Sequence, residues 1–518
     1  MHRPPVLAVL FAAAAISGAP STCDAFAQAW CPRSGAGVAL REWAAKPSRP
    51  PRRRPRAAAS CGAAANLPLE ITGCKIFNPD GSFDRREADA FLRDYWQRQP
   101  VLLRQAFPFE SPISPDELAG LSLEEEVASR LIINWGSLGS DSRPPQAKDY
   151  ELRVGPFTEE TFAQELPETC YTLLCNNVTP LIPQLSALEA RFSFIPNWRL
   201  DDIMISYAPE GGGVGPHVDN YDVFLLQGLG TRKWSVSTRP IAPQDEKLIE
   251  DIDVSVLKGD FPVDAEWVLN PGDVLYVPPR IPHWGVSLDE EYMTYSIGFR
   301  APTLQDLASE YANHMCDNKD PDLFYTDPPQ LTSQPADPGR IHDAAVARMW
   351  AEVGETILGT PLDSTPPLHF QKWLGGYLTQ PLRRPSGEPL LRSCDPEEAA
   401  RILEDIDRGV EEGLNRNEAA KVAWLPLGSQ GVALFADGRA WEVQGSTVLT
   451  ASQLEEAAAA ICGSHTLSAQ TLKPLLSSSL PWRSIIEEWV REGILYCDDE
   501  EEDEEEIVFL LDEDAGRS

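Results

Sequence analysis

Residues 211–234 read GGGVGPHVDNYDVFLLQGLGTRKW, and residues 271–285 read PGDVLYVPPRIPHWG. In the first stretch His217 stands two residues before Asp219, and on an extended chain that spacing sets both side chains on one face. Gly211, Gly212, Gly213 and Gly215 allow the bend a chain needs at the mouth of a barrel, and DVFLLQG after the pair reads as a buried strand. The second stretch reads as a tight turn, a strand, a proline-shaped loop and then His283. A closed antiparallel barrel can bring that histidine back beside the first. Two neutral imidazoles and one carboxylate form a facial set that leaves three positions of an octahedral ion open, the arrangement of non-haem Fe(II) oxygenases. An H-x-D pair alone arises by chance. The glycine approach, the β context and the later Pro-His make His217, Asp219 and His283 the candidate metal-ligating and catalytic set. None of the chain's other histidines has an acid two positions on.

Working outward, the segment from about 203 to 299 is a series of short β-rich runs punctuated by Gly and Pro: DIMISYA, YDVFLLQG, RKWSVS, EWVLN, DVLYVPP and YMTYSIGF. Such a series predicts a barrel or sandwich. Before it, residues 85–135 alternate helix-like patterns, ADAFLRDYWQRQP and SPDELAGLSLEEEVASRL, with the strand-like PVLLRQA. Ser114-Pro115-Asp116-Glu117 has the cap, proline and early acids of a helix start. After Arg300 helical stretches return (LQDLASEYANHM, HDAAVARMWAEVGETIL), and frequent prolines between Pro361 and Pro389 suggest a boundary. In the last unit VALFADGRAWEV predicts a hairpin turning at Asp437-Gly438. WRSIIEEWVREG spaces Trp482, Ile485, Ile486, Trp489 and Val490 as the buried stripe of one helix. Helices around a hairpin suit a winged-helix-like α+β module.

The chain has 518 residues, enough for three to four domains at about 150 residues each. Its 42% hydrophobic and 24% charged residues are those of globular proteins, which excludes a wholly disordered or collagen-like chain. A net charge of −35 excludes a broad phosphate-tracking surface, so no direct nucleic-acid contact is expected. The 10 cysteines include no C-x-x-C pair, so the chain reads as neither a disulfide scaffold nor a structural zinc site. The amino terminus differs from the rest. The apolar run VLAVLFAAAAIS follows Arg3, is too short to span a bilayer comfortably, and has the layout of a secretory signal. The Ala-, Pro-, Ser- and Arg-rich stretch after it suits a transit peptide. Together they resemble the bipartite presequence of proteins sent to plastids bounded by extra membranes; a mitochondrial presequence or a secretory signal with a linker is the alternative. No membrane association is expected once it is removed. The closing DDEEEDEEE run reads as a solubilising tail.

A dicarboxylate cosubstrate needs an anchor of its own. Arg232 opens the run RKWSVS, and a guanidinium facing into the barrel there can clasp a distal carboxylate in bidentate fashion. Lys233 then points the other way. Ser206, in DIMISYA, and Ser296, in YSIGF, are candidate hydroxyl donors to the same cosubstrate, although each is equally read as an ordinary strand residue, and Arg232 as a surface ion pair.

These residues resemble a known family, the bacterial-type ribosomal oxygenases, which are JmjC-domain cupins. The resemblance rests on GGGVGPHVDNYDVFLLQGLGTRKW, on RFSFIPNWRLDDIMISYAPE before it, on PGDVLYVPPRIPHWG and YSIGFRAP after it, and on DYWQRQPVLLRQAFP near the start. It runs from about Ala88 to Pro302 and more faintly through a helical dimerisation segment and a carboxy-terminal winged helix. It implies a mainly β core, a double-stranded β-helix with flanking helices, as a 66–302 catalytic domain, then a 303–388 dimerisation segment and a 389–497 winged-helix-like domain; the 1–65 presequence and the 498–518 acidic tail fall outside it. It implies Fe(II) held by His217, Asp219 and His283, with 2-oxoglutarate and O2 as cosubstrates and Arg232 at the distal carboxylate, where bacterial members carry arginine and animal relatives lysine. It also implies a homodimer acting on a ribosomal protein. Bacterial members hydroxylate the β-carbon of an arginine in the large-subunit protein numbered sixteen, and plastids carry bacterial-type ribosomes. A JmjC histidyl hydroxylase, a protein demethylase and a non-catalytic cupin adaptor remain the competing expectations.

Overall fold

The computed structural model describes residues 67–136, 146–252, 254–317, 343–357, 366–381, 391, 393–444, 450–478 and 481–497. The expected presequence and acidic tail lie outside these.

A capped helix α1 (Arg85–Asp94) precedes the core; Asp84 accepts a hydrogen bond from the Glu87 N–H at its start. Phe91 from α1 is buried against Phe224 and Tyr276 of the sheet beneath it. Helix α2 (Pro115–Leu121) begins at Ser114 with a full capping box to Glu117, as its sequence predicts. It ends sooner than the pattern through Leu131 suggests. Ser122 caps it, and the chain enters strand β3 (Ala128–Asn134). The helix-forming Glu124–Glu126 run is overridden because Leu131 and Ile133 fit a strand between two partners.

Twelve strands build the core. Besides β3 they are β1 (Glu70–Thr72), β2 (Val101–Arg104), β4 (Tyr150–Val154), β5 (Tyr171–Asn176), β6 (Leu200–Ala208), β7 (Asp222–Leu229), β8 (Arg232–Val236), β9 (Ala265–Leu269), β10 (Val274–Val277), β11 (His283–Ser287) and β12 (Tyr292–Phe299). Nine form a mixed sheet in the order β1-β2-β10-β7-β12-β6-β5-β3-β4, in which only β1 and β2 run parallel; β11-β8-β9 form a second sheet. The outer face of the large sheet packs on α1, α2 and α3 (Leu185–Arg191) through an aromatic-rich core that includes Phe107, Phe192, Phe224, Tyr295 and Phe299. Two smaller apolar clusters line the inner face of the large sheet, the first against the second sheet and the second against the segment between β8 and β9. One joins Leu102, Val223, Leu225 and Leu275 to Trp234, Val236, Trp267 and Leu269. The other gathers Ile132, Tyr150 and Leu174 around Ile249 and Val256.

Alternation along β6 and β12 divides the two environments. Ile203 and Ile205 join the outer core with Met293, Tyr295 and Ile297. Asp202, Met204 and Ser206 on β6, and Tyr292, Thr294 and Ser296 on β12, therefore face the interior.

After the core come three helices: α4 (Leu304–Asp317), α5 (Asp343–Ile357) and α6 (Leu368–Leu378). The last unit holds α7 (Pro396–Arg408), β13 (Gly413–Arg416), β14 (Val422–Pro426), β15 (Gly431–Ala436), β16 (Arg439–Gln444), α8 (Ala451–Gly463), β17 (Thr466–Ser468), α9 (Ala469–Leu476), α10 (Trp482–Arg491) and β18 (Leu495–Tyr496). β15 and β16 form the hairpin with Asp437 and Gly438 in the left-handed conformation at its turn. All five stripe residues of α10 are buried in a separate core with Leu403, Leu434 and Ile461. This unit docks on the first: Asn197 donates to the Cys462 carbonyl at 2.9 Å, and Lys421 lies 3.6 Å from Asp201.

Candidate metal and cosubstrate site

The turn before β7 and the first residue of β11 meet as a single antiparallel bridge. The His217 N–H donates to the His283 carbonyl and the His283 N–H to the His217 carbonyl, both at 3.0 Å. Residues opposed in this way project their side chains to the same side, and the two imidazole centroids lie 4.3 Å apart. Asp219, two residues along, adds its carboxylate: Oδ2 lies 3.4 Å from His283 Nε2 and 4.0 Å from His217 Nε2. One ligand atom from each of the three can be chosen so that all lie within 4.8 Å of one another, and among the described residues no other Cys, His, Asp or Glu joins them. His283 is 1% exposed, while His217 and Asp219 keep an edge to solvent.

Each imidazole is aimed by the carbonyl two residues before it. His217 Nδ1 is 2.9 Å from the Gly215 oxygen and His283 Nδ1 is 2.9 Å from the Ile281 oxygen. A carbonyl only accepts, so Nδ1 carries the proton in both rings and each Nε2 keeps its lone pair for a cation. Burial, then the neighbouring His283, pushes His217 down to about 4 and so keeps it neutral near pH 7. Burial pushes the Asp219 carboxyl up, but the His283 hydrogen bond and the two imidazoles outweigh it and leave Asp219 below its ordinary value. Two neutral nitrogen donors and one carboxylate, clustered with no fourth side chain, fit a divalent iron that must keep open positions.

Strand β7 is fixed at its base by Asp222, which is fully buried. Its carboxylate accepts from Tyr276 Oη at 2.7 Å, Arg199 Nη2 at 2.8 Å and Gln97 Nε2 at 3.0 Å. The buried charge is thereby satisfied, and the ligand turn leaves from a rigid strand.

Arg232, at the start of β8, is 4% exposed. Its guanidinium carbon lies 4.3 Å from the Trp234 ring centre and 4.7 Å from that of Tyr292, and Nη2 donates to the Gly285 carbonyl at 3.3 Å. It has no ion pair among the described residues, and Nε has no hydrogen-bond partner. A Cβ on Gly285 would overlap the guanidinium, so a larger residue there would have to displace Arg232 or Trp234. Burial lowers the proton affinity of Arg232, yet arginine stays charged in proteins. A buried cation held between two rings with an unsatisfied donor fits a carboxylate ligand. Lys233 faces outward and pairs with Glu266, as alternation requires.

Ser206 shares this interior through Tyr292, whose hydroxyl is 3.3 Å from Ser206 Oγ. Ser296 is buried on the same face of β12, beside Met204 and Leu225 in register. The stacking residues Trp234 and Tyr292 were not singled out from sequence, although the alternation that turns Ser296 inward also turns Tyr292 inward. Neither were Asp202 and Tyr221. Asp202, on β6, accepts from the Asn177 N–H at 3.1 Å and from Asn176 Nδ2 at 3.4 Å. A Cβ built on Gly298 would sit 3.5 Å from Asp202 Oδ1 and 3.7 Å from the Tyr221 ring, so the bare glycine leaves room between them. The charge on Asp219, then burial and the charge on Asp202, raise the Tyr221 hydroxyl well above its ordinary value, so this ring stands within electrostatic reach of both carboxylates.

Residues 187–307 match the JmjC domain family. The chain is 37% identical over 291 residues to the ribosomal protein uL16 3-hydroxylase of Escherichia coli K12, covering 56% of this chain and 70% of that protein. It is 36% identical over 321 residues to a probable ribosomal oxygenase of Haemophilus influenzae, covering 61% and 74%. The E. coli ribosomal oxygenase YcfD, solved in complex with cobalt and 2-oxoglutarate, superposes with a TM-score of 0.60 at 30% identity, covering 79% of this chain and 98% of that one. The chain belongs to the bacterial-type ribosomal oxygenases of the JmjC cupin class, the family its glycine-rich H-x-D block resembles.

Proposed function

We propose that this protein is an Fe(II)- and 2-oxoglutarate-dependent dioxygenase that hydroxylates the β-carbon of an arginine in a bacterial-type uL16, the large-subunit ribosomal protein numbered sixteen. The observation that carries the reading is the pairing of the His217, Asp219 and His283 cluster with Arg232, an uncompensated cation in the same barrel. His217, Asp219 and His283 would hold the iron, and Arg232 would take the distal carboxylate of 2-oxoglutarate. With 2-oxoglutarate and O2, iron bound there supplies the oxidising power that puts one oxygen atom into a C–H bond while 2-oxoglutarate leaves as succinate and CO2.

The chain's own residues do the rest. Trp234 and Tyr292 lie against the guanidinium and shield it from water, which strengthens its hold on a carboxylate. Ser206 and Ser296 offer hydroxyls along the same interior wall. Asp202 favours an arginyl over a histidyl or methyl-lysyl substrate, because a carboxylate with two backing donors matches a guanidinium fork. The acidic chain also complements a basic ribosomal protein, which speeds encounter.

The winged-helix-like reading of residues 389–497 is supported by the hairpin β15–β16 packed among α7 to α10. The dimer reading is supported by α5, on which Val346, Met349, Trp350 and Val353 are exposed, Trp350 by 76%; a second copy of the chain would cover them. We assign the protein to plastids on its presequence, with mitochondria as the alternative; a fluorescent fusion of residues 1–65 distinguishes the two compartments.

The function is tested by incubating the protein with Fe(II), 2-oxoglutarate, O2 and plastid-type uL16 and fragmenting the product by mass spectrometry. One added oxygen on an arginine β-carbon is expected. Oxygen on a histidine, or loss of a methyl group, would replace the arginyl reading with those alternatives. Tight uL16 binding without succinate release would replace it with the adaptor reading.

A further inference from the structure

Arg280, three residues before His283, has φ +68°, a left-handed conformation that arginine seldom takes. The ladder that pairs His217 with His283 would, continued in register, set Asp219 against Ile281. Instead the Arg280 N–H donates to the Asp219 carbonyl at 2.7 Å, so the strand slips by one residue. A left-handed residue beside such a slip is the signature of a bulge that usually carries glycine. The slip has a result at the cluster: the Ile281 carbonyl, no longer committed to Asp219, is the one that aims His283 Nδ1.

The arginine side chain pins this geometry from outside. Nε donates to the Ile241 carbonyl at 2.9 Å, Nη2 meets Glu246 Oε2 at 2.6 Å and Nη1 donates to Asn220 Oδ1 at 3.0 Å. The Ile241 N–H returns a bond to the Arg280 carbonyl at 2.9 Å. One residue thus ties the turn bearing Asp219, the loop leading to His283 and the segment after β8. The Asn220 contact is exposed and weak. The Glu246 and Ile241 contacts are part-buried and carry the tie.

We propose that Arg280 is a positioning residue for the metal centre, holding Asp219 and His283 at their mutual spacing before the ion arrives. The proposal rests on the metal reading above. Outer partners that orient ligands typically alter metal affinity 10- to 100-fold, and here the partner fixes two of three ligands at once.

The test uses Co(II) as probe, followed by its visible absorption on titration into the purified metal-free protein. Arg280→Gly keeps the left-handed backbone, which glycine adopts freely, and removes the fork. It is expected to weaken Co(II) binding about tenfold and to shift the absorption bands. Glu246→Gln, which loosens the outer anchor while leaving the cluster untouched, is expected to weaken it in the same direction by less. If Arg280→Gly and Glu246→Gln both bind Co(II) with wild-type affinity and spectrum, the proposal is overturned; a lower melting temperature with unchanged Co(II) affinity overturns it equally, since that is a merely structural role. His217→Ala serves as the separate check, for if it binds Co(II) as the wild type does, the metal reading itself fails.

Discussion

Replacing Arg232 by methionine exchanges a buried guanidinium for a shorter, unbranched apolar chain. In the ligand-free protein two opposing changes follow. Two ring contacts are lost, about 0.5–2 kcal/mol each; an unpaired cation leaves the interior, which returns about as much or more. The melting temperature of the free protein is therefore expected to stay close to that of the wild type. With 2-oxoglutarate present the balance changes. The distal carboxylate would be buried without its partner, and truncating one side of a buried charged pair costs about 2–5 kcal/mol. At about 1.4 kcal/mol per factor of ten, 2-oxoglutarate should bind about 30- to 4,000-fold more weakly. Calorimetric titration of 2-oxoglutarate into Co(II)-loaded protein measures this directly, and the succinate-release KM should move with it. Wild-type protein at 100 times its Kd gains about 2.7 kcal/mol from the ligand, so at the same concentration the gain should fall to about 0.9 kcal/mol or less in the variant. Co(II) affinity should change far less, because Arg232 touches none of the three cluster residues and only its charge reaches His217. A 2-oxoglutarate Kd within about threefold of wild type would remove Arg232 from the cosubstrate site and leave its burial unexplained.

Gly285→Ala should reproduce part of this effect, because its Cβ would displace the same guanidinium; an unchanged 2-oxoglutarate KM would show that Arg232 relaxes at no cost. Asp219→Ala should abolish both Co(II) binding and turnover, and retained turnover would refute the ligand assignment. If α5 forms the proposed dimer interface, the wild type should sediment as a dimer and Trp350→Glu with Val353→Asp as a monomer, since two anchors buried there would be worth about 3–6 kcal/mol; a sedimentation coefficient unchanged by the pair would refute α5 as the interface. Burial raises Glu189 on α3 from 4.5 to about 7, against the opposing pull of Arg416 on β13. The folded state thus holds its proton more tightly than the unfolded chain, and the stability this gives is complete below about 4.5 and is lost as the pH rises through about 7. Glu189→Gln should flatten the decline in melting temperature across that window, and an unaltered slope would assign the decline elsewhere.

The part of this molecule most legible in its sequence is the part governed by short-range periodicity. His217 and Asp219 share a face because a strand repeats every two residues. The Asp437-Gly438 turn and the α10 stripe follow equally local rules. What could not be read depended on partners distant in the chain. Glu124 to Glu126 favour a helix locally, and only pairing with β4 and β5 makes Ala128–Asn134 a strand. Tyr292 becomes half of a cation clamp only when β12 closes opposite β8. Nothing in Pro-Pro-Arg announces that Arg280 turns left-handed, since that depends on the Asp219 carbonyl 61 residues earlier. The Asp202 and Tyr221 wall escaped for the same reason, because its room comes from Gly298 on a neighbouring strand.

The reciprocal pair of backbone hydrogen bonds between His217 and His283 separates assembly from charging. In small zinc domains the ion is the keystone, and chelation unfolds the chain. Here the two ligand segments are stitched to each other by main-chain bonds that need no ion. Such bonds would let the barrel close before its iron arrives. Iron scarcity would then silence the enzyme without destroying it, and refilling would restore it without new synthesis.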